Sequence, residues 1–374
     1  MDQNKNFFLR QSSRSEVKAE IVARYFKGWA NVIIGHQKRG RRTPNIMYAD
    51  LFCGPGIYTE DGAHSTPIKV LEYVIDDPEL LRATKLVFND RETQWVEDLK
   101  GNISKFDVNK CLDKTIRFFT VDISPKTISE FGFLKNQPTL TFLDPFGCNG
   151  ISAEMVLDLM SYFGSECILF FNYRLFNQHL TDKTAEEWVN DFVGVDQAER
   201  LRAKIAGMSP DEREDAIINA LGESLKREGG AKYTLKYLIT DRRGARTSQY
   251  VVFATKDEKG YKIMKSVMKH LSTEGGEVMQ ALGMNAATHD QTTLLAGLYP
   301  PEESLGEQLL TEYRGRKTTF GQLCQEQLTR EHYIETDFRK AIDGLRKQGL
   351  VTVDAGGKKL REGQVPDYAT INFE

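Results

Sequence analysis

The stretch that decides the fold runs from Ile46 to Gly56 and reads IMYADLFCGPG. A short apolar run that ends in a Gly/Pro turn marks a buried strand feeding a loop. Gly54 and Gly56, lacking a Cβ, let backbone N–H groups approach a ligand closely. Ser65 and Thr66 then open a helix with Pro67 at its first position, so that helix aims its positive end back at the turn. Asp50 and Phe52 share the turn with the two glycines, and all four are candidate ligand contacts.

Downstream the same alternation repeats. KLVFND (85–90), TIRFFTVD (115–122), PTLTFLDPF (138–146) and ECILFFNYRL (166–175) read as strands, separated by helical segments at 91–106, 124–134 and 152–163. Strands alternating with helices imply right-handed crossovers and a mostly parallel sheet covered on both faces. From about 176 to 230 the chain is polar and helical, an insertion or cap over the ligand edge of the sheet. KYLIT (236–240) and QYVVFAT (249–255) follow as a close pair joined by the basic loop DRRGARTS, which suggests a hairpin with one antiparallel edge strand. KGYKIMKSVMKHLS (259–272) closes the domain as a helix, and upstream 15–35 has helical apolar spacing with Ser15 as its N-cap. The tail gives three helices and a strand, Gly-rich turn, strand, which is the order of a winged helix-turn-helix. The expected organisation is an α/β domain over 1–272, a linker or flap over 273–300 and a winged-helix domain over 301–374.

Composition bounds the function. The chain has 374 residues, 40% of them hydrophobic and 28% charged, which is ordinary globular composition with room for two domains. The net charge of -3 means that any contact with a polyanion must come from local basic patches. Cys53, Cys111, Cys148, Cys167 and Cys324 include no C-x-x-C pair, so a metal site is not expected and free thiols in a reducing cytoplasm are. The first 14 residues lack an apolar signal core, and no run approaches the ~20 apolar residues of a membrane span.

Three later strand ends also carry chemistry-bearing residues. Asp90, ending the second strand, stands where an acid accepts both hydroxyls of a ribose. Asp122, ending the third, either receives an adenine amino group or caps the next helix. Asp144, Pro145 and Phe146 end the fourth: a carboxylate beside a rigid turn orients an attacking exocyclic amine, and the ring stacks on the base.

Taken together, these residues resemble the S-adenosylmethionine-dependent methyltransferases of Rossmann-like fold. The turn at 50–56 is similar to their glycine-rich first motif, Asp90 to their ribose acid, and Asp144 to Gly147 to a variant of the D-P-P-Y amine-methylating motif, without its second proline. YADLFCGPGIYTEDG (48–62), STPIKVLE (65–72) and PTLTFLDPFGCNGIS (138–152) resemble, more narrowly, the three-Cys-motif partner proteins. That resemblance implies S-adenosyl-L-methionine as cofactor and a partner protein carrying a three-cysteine, radical-type motif.

Other residues leave alternatives open. Cys148 is a cysteine nucleophile or a buried thiol, and Tyr173 and Arg174 face a base or simply end a strand. Arg39, Arg41 and Arg42, then Arg242 and Arg243, then Lys358 and Lys359 form three basic patches expected beside the active edge or on the wing, where they would neutralise phosphates of RNA or DNA. Winged helices also dock proteins. The expected activity is methylation of a nitrogen on a nucleic-acid base; the competing reading is a cofactor-binding adaptor that recruits a partner or nucleic acid. A dinucleotide oxidoreductase fits poorly, because Thr59 stands where G-x-G-x-x-G requires its third glycine.

Overall fold

A computed structural model describes residues 8–106, 115–145, 151–241, 249–273, 278–282, 302–330, 333–358, 360–361 and 363–374. The chain separates into two compact units, one built from Met1–Ala281 and the other running to Glu374.

In the first unit α1 (Ser13–Arg39) buries Ile21, Val22, Tyr25, Phe26, Trp29 and Ile33 along one stripe. Each of these large side chains contributes about 2 kcal/mol on burial. Its N-cap is Ser12, not the expected Ser15: the Ser12 hydroxyl accepts from Ser15 N at 3.1 Å. The strands and helices then follow in order: β1 (Ile46–Asp50), α2 (Thr66–Asp76), α3 (Pro78–Ala83), β2 (Thr84–Asn89), α4 (Thr93–Ile103), β3 (Ile116–Phe119), α5 (Pro125–Glu130), β4 (Thr139–Leu143), α6 (Ala153–Leu159) and β5 (Glu166–Asn172). Every residue of β1 and β4 is buried, as in strands covered on both faces.

The segment between β5 and the next strand forms α7 (Tyr173–His179), α8 (Glu186–Val193), α9 (Val195–Ile205) and α10 (Pro210–Arg227), and α10 packs on β6 (Tyr233–Asp241) and β7 (Gln249–Thr255). α11 (Glu258–Thr273) lies beside α1. The strand order is β3-β2-β1-β4-β5-β7-β6, continued by the short β8 (Val278–Leu282). β1 to β5 pair in parallel, while β7 runs antiparallel between β5 and β6. This is a Rossmann-like α/β sheet, mostly parallel with its antiparallel strand toward one edge.

The second unit is a winged helix-turn-helix: α12 (Glu302–Glu312), β9 (Lys317–Thr319), α13 (Phe320–Glu326), α14 (Glu335–Lys347), β10 (Val351–Asp354) and β11 (Thr370–Phe373). Its core gathers Leu305, Leu309, Phe320, Phe338, Ile342 and Phe373. β9 joins the wing hairpin as a third strand, in the order β10-β11-β9. Three residues are too few for a period-two pattern to show in the sequence.

Candidate active site

The parallel register assembles the site. Asp50, at the end of β1, stands opposite Phe142 of β4, so Asp144, two residues further, emerges beside it at the carboxyl ends of the strands. Ligands bind at those ends in open α/β sheets. A cavity of about 270 Å³ opens there, lined by Asp50, Phe52, Cys53, Phe142, Asp144 and Pro145, and by Ser15 and Lys18 of α1. Ser65, Thr66 and Pro67 at the start of α2 close one side; Phe170, Asn172 and Gln249 close another. The volume is near the lower limit of the ~300–1,000 Å³ usual for ligand pockets, enough for part of a nucleotide-sized ligand.

The charges in the cavity are coupled. Lys18 forms an ion pair with Asp144, and its ammonium lies 4.4 Å from the centroid of the Phe170 ring. Asp50 is fully buried, and burial first, then the neighbouring Asp144 carboxylate, push its carboxyl up to about 8. Two opposing contacts are its acceptance from Phe52 N (3.3 Å) and from the Tyr48 hydroxyl (3.3 Å). Burial and the Asp144 carboxylate thus both favour the neutral form of Asp50, while Lys18 pairs with Asp144. Burial likewise raises the Cys53 thiol, with Asp50 and Asp90 adding to the effect, which leaves Cys53 a packing residue.

The turn after β1 needs its glycines. Gly54 and Gly56 both have positive φ, 59° and 86°. A Cβ at Gly54 would stand 2.7 Å from the Phe8 ring, which packs edge-on against Trp95 at 4.9 Å. Asp90, buried at the end of β2, accepts from Gly54 N at 3.0 Å and Glu92 N at 3.1 Å. Burial raises its carboxyl above its ordinary value against those two bonds. Asn89 ties the neighbouring loops together: its amide donates to Leu51 O (3.0 Å) and Val121 O (3.1 Å) and accepts from Val121 N (3.2 Å).

Several expectations are redistributed. Asp50, Phe52, Asp144 and Pro145 meet in the cavity, whereas Gly54, Gly56, Asp90 and Asp122 are not on its wall. Asp122 is exposed, and α5 is capped by Ser124, whose hydroxyl accepts from Thr127 N. Tyr173 is buried in the first turn of α7, because the strand ends at Asn172, whose side chain caps that helix. Phe146, Cys148, Arg242, Arg243 and Lys359 lie outside the described residues, as do Cys111 and most of the expected linker. Arg39, Arg41 and Arg42 are not beside the active edge: they join α1 to the start of β1, which places them at the opposite end of the strands.

On α14, Arg346 and Lys347 both pair with Asp343 (2.6 and 3.3 Å), and Arg339 pairs with Glu335 and Asp367. Lys18, Phe170, Asn172 and Gln249 were not legible as site residues. One signal existed: Lys18 falls on the apolar stripe of α1, at helical spacing from Val22 and Tyr25.

A family model described as a GMT-like wHTH domain matches residues 283–355. No curated protein matches the sequence. Among solved structures, protein LPL1258 from Legionella pneumophila is similar at 11% identity and a TM-score of 0.37, over 71% of this chain and 97% of that one. The methyltransferase domain of bacterial CtHen1 gives 9% identity and a TM-score of 0.28, over 62% and 99%. Precorrin-6y C5,15-methyltransferase from Geobacter metallireducens gives 10% and 0.29, over 61% and 86%. Overlaps of this size carry no argument about activity, and the winged-helix match covers the tail alone.

Proposed function

We propose that the chain transfers a methyl group from S-adenosyl-L-methionine to a nitrogen of a nucleic-acid base. The observation that carries this reading is the meeting of Asp50 and Asp144 with Phe52, Phe142 and Phe170 in one cavity at the carboxyl ends of a methyltransferase-type sheet. The residues present fit the amino-acid end of the cofactor. The cavity receives the start of α2, and the Ser65 hydroxyl there is buried with no hydrogen-bond partner among the described residues. Asp90, off the cavity wall but bonded to the Gly54 turn, has lone pairs beyond its two backbone bonds that would serve ribose hydroxyls.

When bound, the cofactor supplies an electrophilic methyl group on a sulfonium. Asp144, held by Lys18, would accept an N–H of the acceptor amine and point the nitrogen lone pair into the cavity. Phe52 and Phe170 hold the base plane, and the surrounding side chains exclude water. The proton that the amine sheds on methylation would leave through Asp144 to solvent. Orientation supplies most of the acceleration, so no strong base is required.

The Lys18–Asp144 pair also favours a second reading, a cofactor-binding regulator in which that carboxylate never meets an acceptor. Calorimetric titration of S-adenosylmethionine into wild type, Asp90→Ala and Asp144→Asn, followed by tritiated methyl transfer to cellular RNA and DNA, separates the two. Transfer lost in Asp144→Asn with binding kept supports the enzyme; binding without transfer in wild type supports the regulator. A folded wild type that binds no cofactor sinks both. The resemblance to three-Cys-motif partner proteins adds a radical-type partner to the expected assembly, which co-purification tests.

A further inference from the structure

The arginines at the far end of α1 belong to a surface that the cavity does not explain. Lys18 and Arg39 lie on the same 27-residue helix, 21 residues apart, which at about 1.5 Å per residue separates them by roughly 30 Å along the axis. Arg39, Arg41 and Arg42 are exposed, and among the described residues none has a carboxylate partner, whereas Lys38 is paired with Glu79.

The turn that displays them is built. The Gln37 side-chain amide donates to Asn45 O and accepts from Asn45 N, both at 2.9 Å. Arg42 N reaches Gln37 O at 2.9 Å, and Arg41 is held at φ 55°, a left-handed conformation that non-glycine residues rarely keep. At the same end of the strands, three residues before β5, Phe163 is 64% exposed, with the His36 ring 5.4 Å away. Cations in the last turn of a helix compensate its dipole, which accounts for Arg39. It does not account for Arg41 and Arg42, which follow the C-cap Gly40, or for an exposed phenyl ring beside His36.

We propose that this surface anchors a nucleic-acid chain at a distance from the cavity, the three arginines holding phosphates and Phe163, with His36, stacking an unpaired base. Aromatic rings interleaved with cations are the means by which proteins hold single strands without reading sequence. The inference rests on the proposed acceptor and narrows it: the substrate is a polymer that reaches from this end to the cavity. At about 3.4 Å per stacked nucleotide, 30 Å corresponds to about nine nucleotides of one strand. A nucleoside or very short oligonucleotide meets the cavity alone.

The test uses the full chain and fluorescein-labelled single-stranded RNA of about 30 and about 5 nucleotides, followed by anisotropy over a salt series. In the triple variant R39Q/R41Q/R42Q, affinity for the long RNA is expected to fall at least tenfold, with the salt slope shallower by about 2, at roughly 0.7 for each phosphate no longer neutralised. Phe163→Ala is expected to cost about tenfold on the long RNA, the effect of one stacked base. Binding of the 5-mer and calorimetric binding of S-adenosylmethionine should stay at wild-type values, which shows that both variants fold.

Unchanged binding and slope for the long RNA overturns the anchor. So does equal weakening of both RNA lengths, no RNA binding by wild type, or a loss confined to poly-glutamate, which would make the surface a site for acidic protein. Should wild type transfer no methyl group while the triple variant still loses long RNA, the methyltransferase reading fails and the anchor stands.

Discussion

Lys18 of α1 and Asp144 beyond β4 form an ion pair on the wall of the cavity, with their side chains 8% and 22% exposed. Removing one member of a buried pair leaves the other charge uncompensated, a cost of several kcal/mol when nothing relaxes. Lys18→Met is therefore expected to lower stability by about 3 kcal/mol, and the double variant with Asp144→Asn to recover much of that loss. Urea denaturation of the two singles and the double checks it; simple additivity would show that the two charges do not sense each other.

A second buried carboxyl makes stability depend on pH. Glu166, at the start of β5, accepts hydrogen bonds from the Tyr25 and Thr255 hydroxyls, the latter at 2.7 Å, and burial pushes its carboxyl up to about 8. A carboxyl raised above its unfolded value stabilises the fold fully below that unfolded value of 4.5, and the contribution disappears as pH rises through about 8. Asp50, also raised to about 8, acts in the same direction. Urea midpoints of wild type should fall between pH 5 and pH 9, and Glu166→Gln should flatten part of that slope. An unaltered slope in the variant means that Glu166 is ionised in the fold.

Gly54 holds φ 59° with the Phe8 ring against it. Gly54→Ala is expected to cost about 1–3 kcal/mol from the left-handed backbone alone. Displacement of Phe8 should add to it and weaken cofactor binding. Thermal melts with calorimetry check both; wild-type values in each would show that the turn tolerates a side chain.

In the winged-helix unit Arg339, Arg346 and Lys347 of α14 pair with carboxylates of the same unit, whereas Lys358 and Arg361 on the wing are exposed, and Lys358 lies 5.8 Å from the centroid of the exposed Tyr368 ring. Lys358→Ala and Arg361→Ala should each make the salt slope of nucleic-acid binding shallower by about 1. Arg346→Ala should chiefly lower stability. A larger binding loss in Arg346→Ala than in the wing variants would make α14 the reading element.

The sequence by itself determined the alternation of strands and helices, the turn from Asp50 to Gly56, Asp144 at a strand end and the winged-helix order of the tail. These are local: side-chain period, glycine freedom and capping act over a few residues. Its errors were local too. The strand drawn through Tyr173 stops at Asn172 because an asparagine side chain caps α7, and Asp122 yields the cap of α5 to Ser124. What only the tertiary structure decided is which distant residues share a volume. Lys18 and Asp144 are 126 positions apart, and no periodicity relates them. The same helix that brings Lys18 to the cavity carries Arg39 to the far end of the sheet, because a rigid rod of this length must span the strands it packs along.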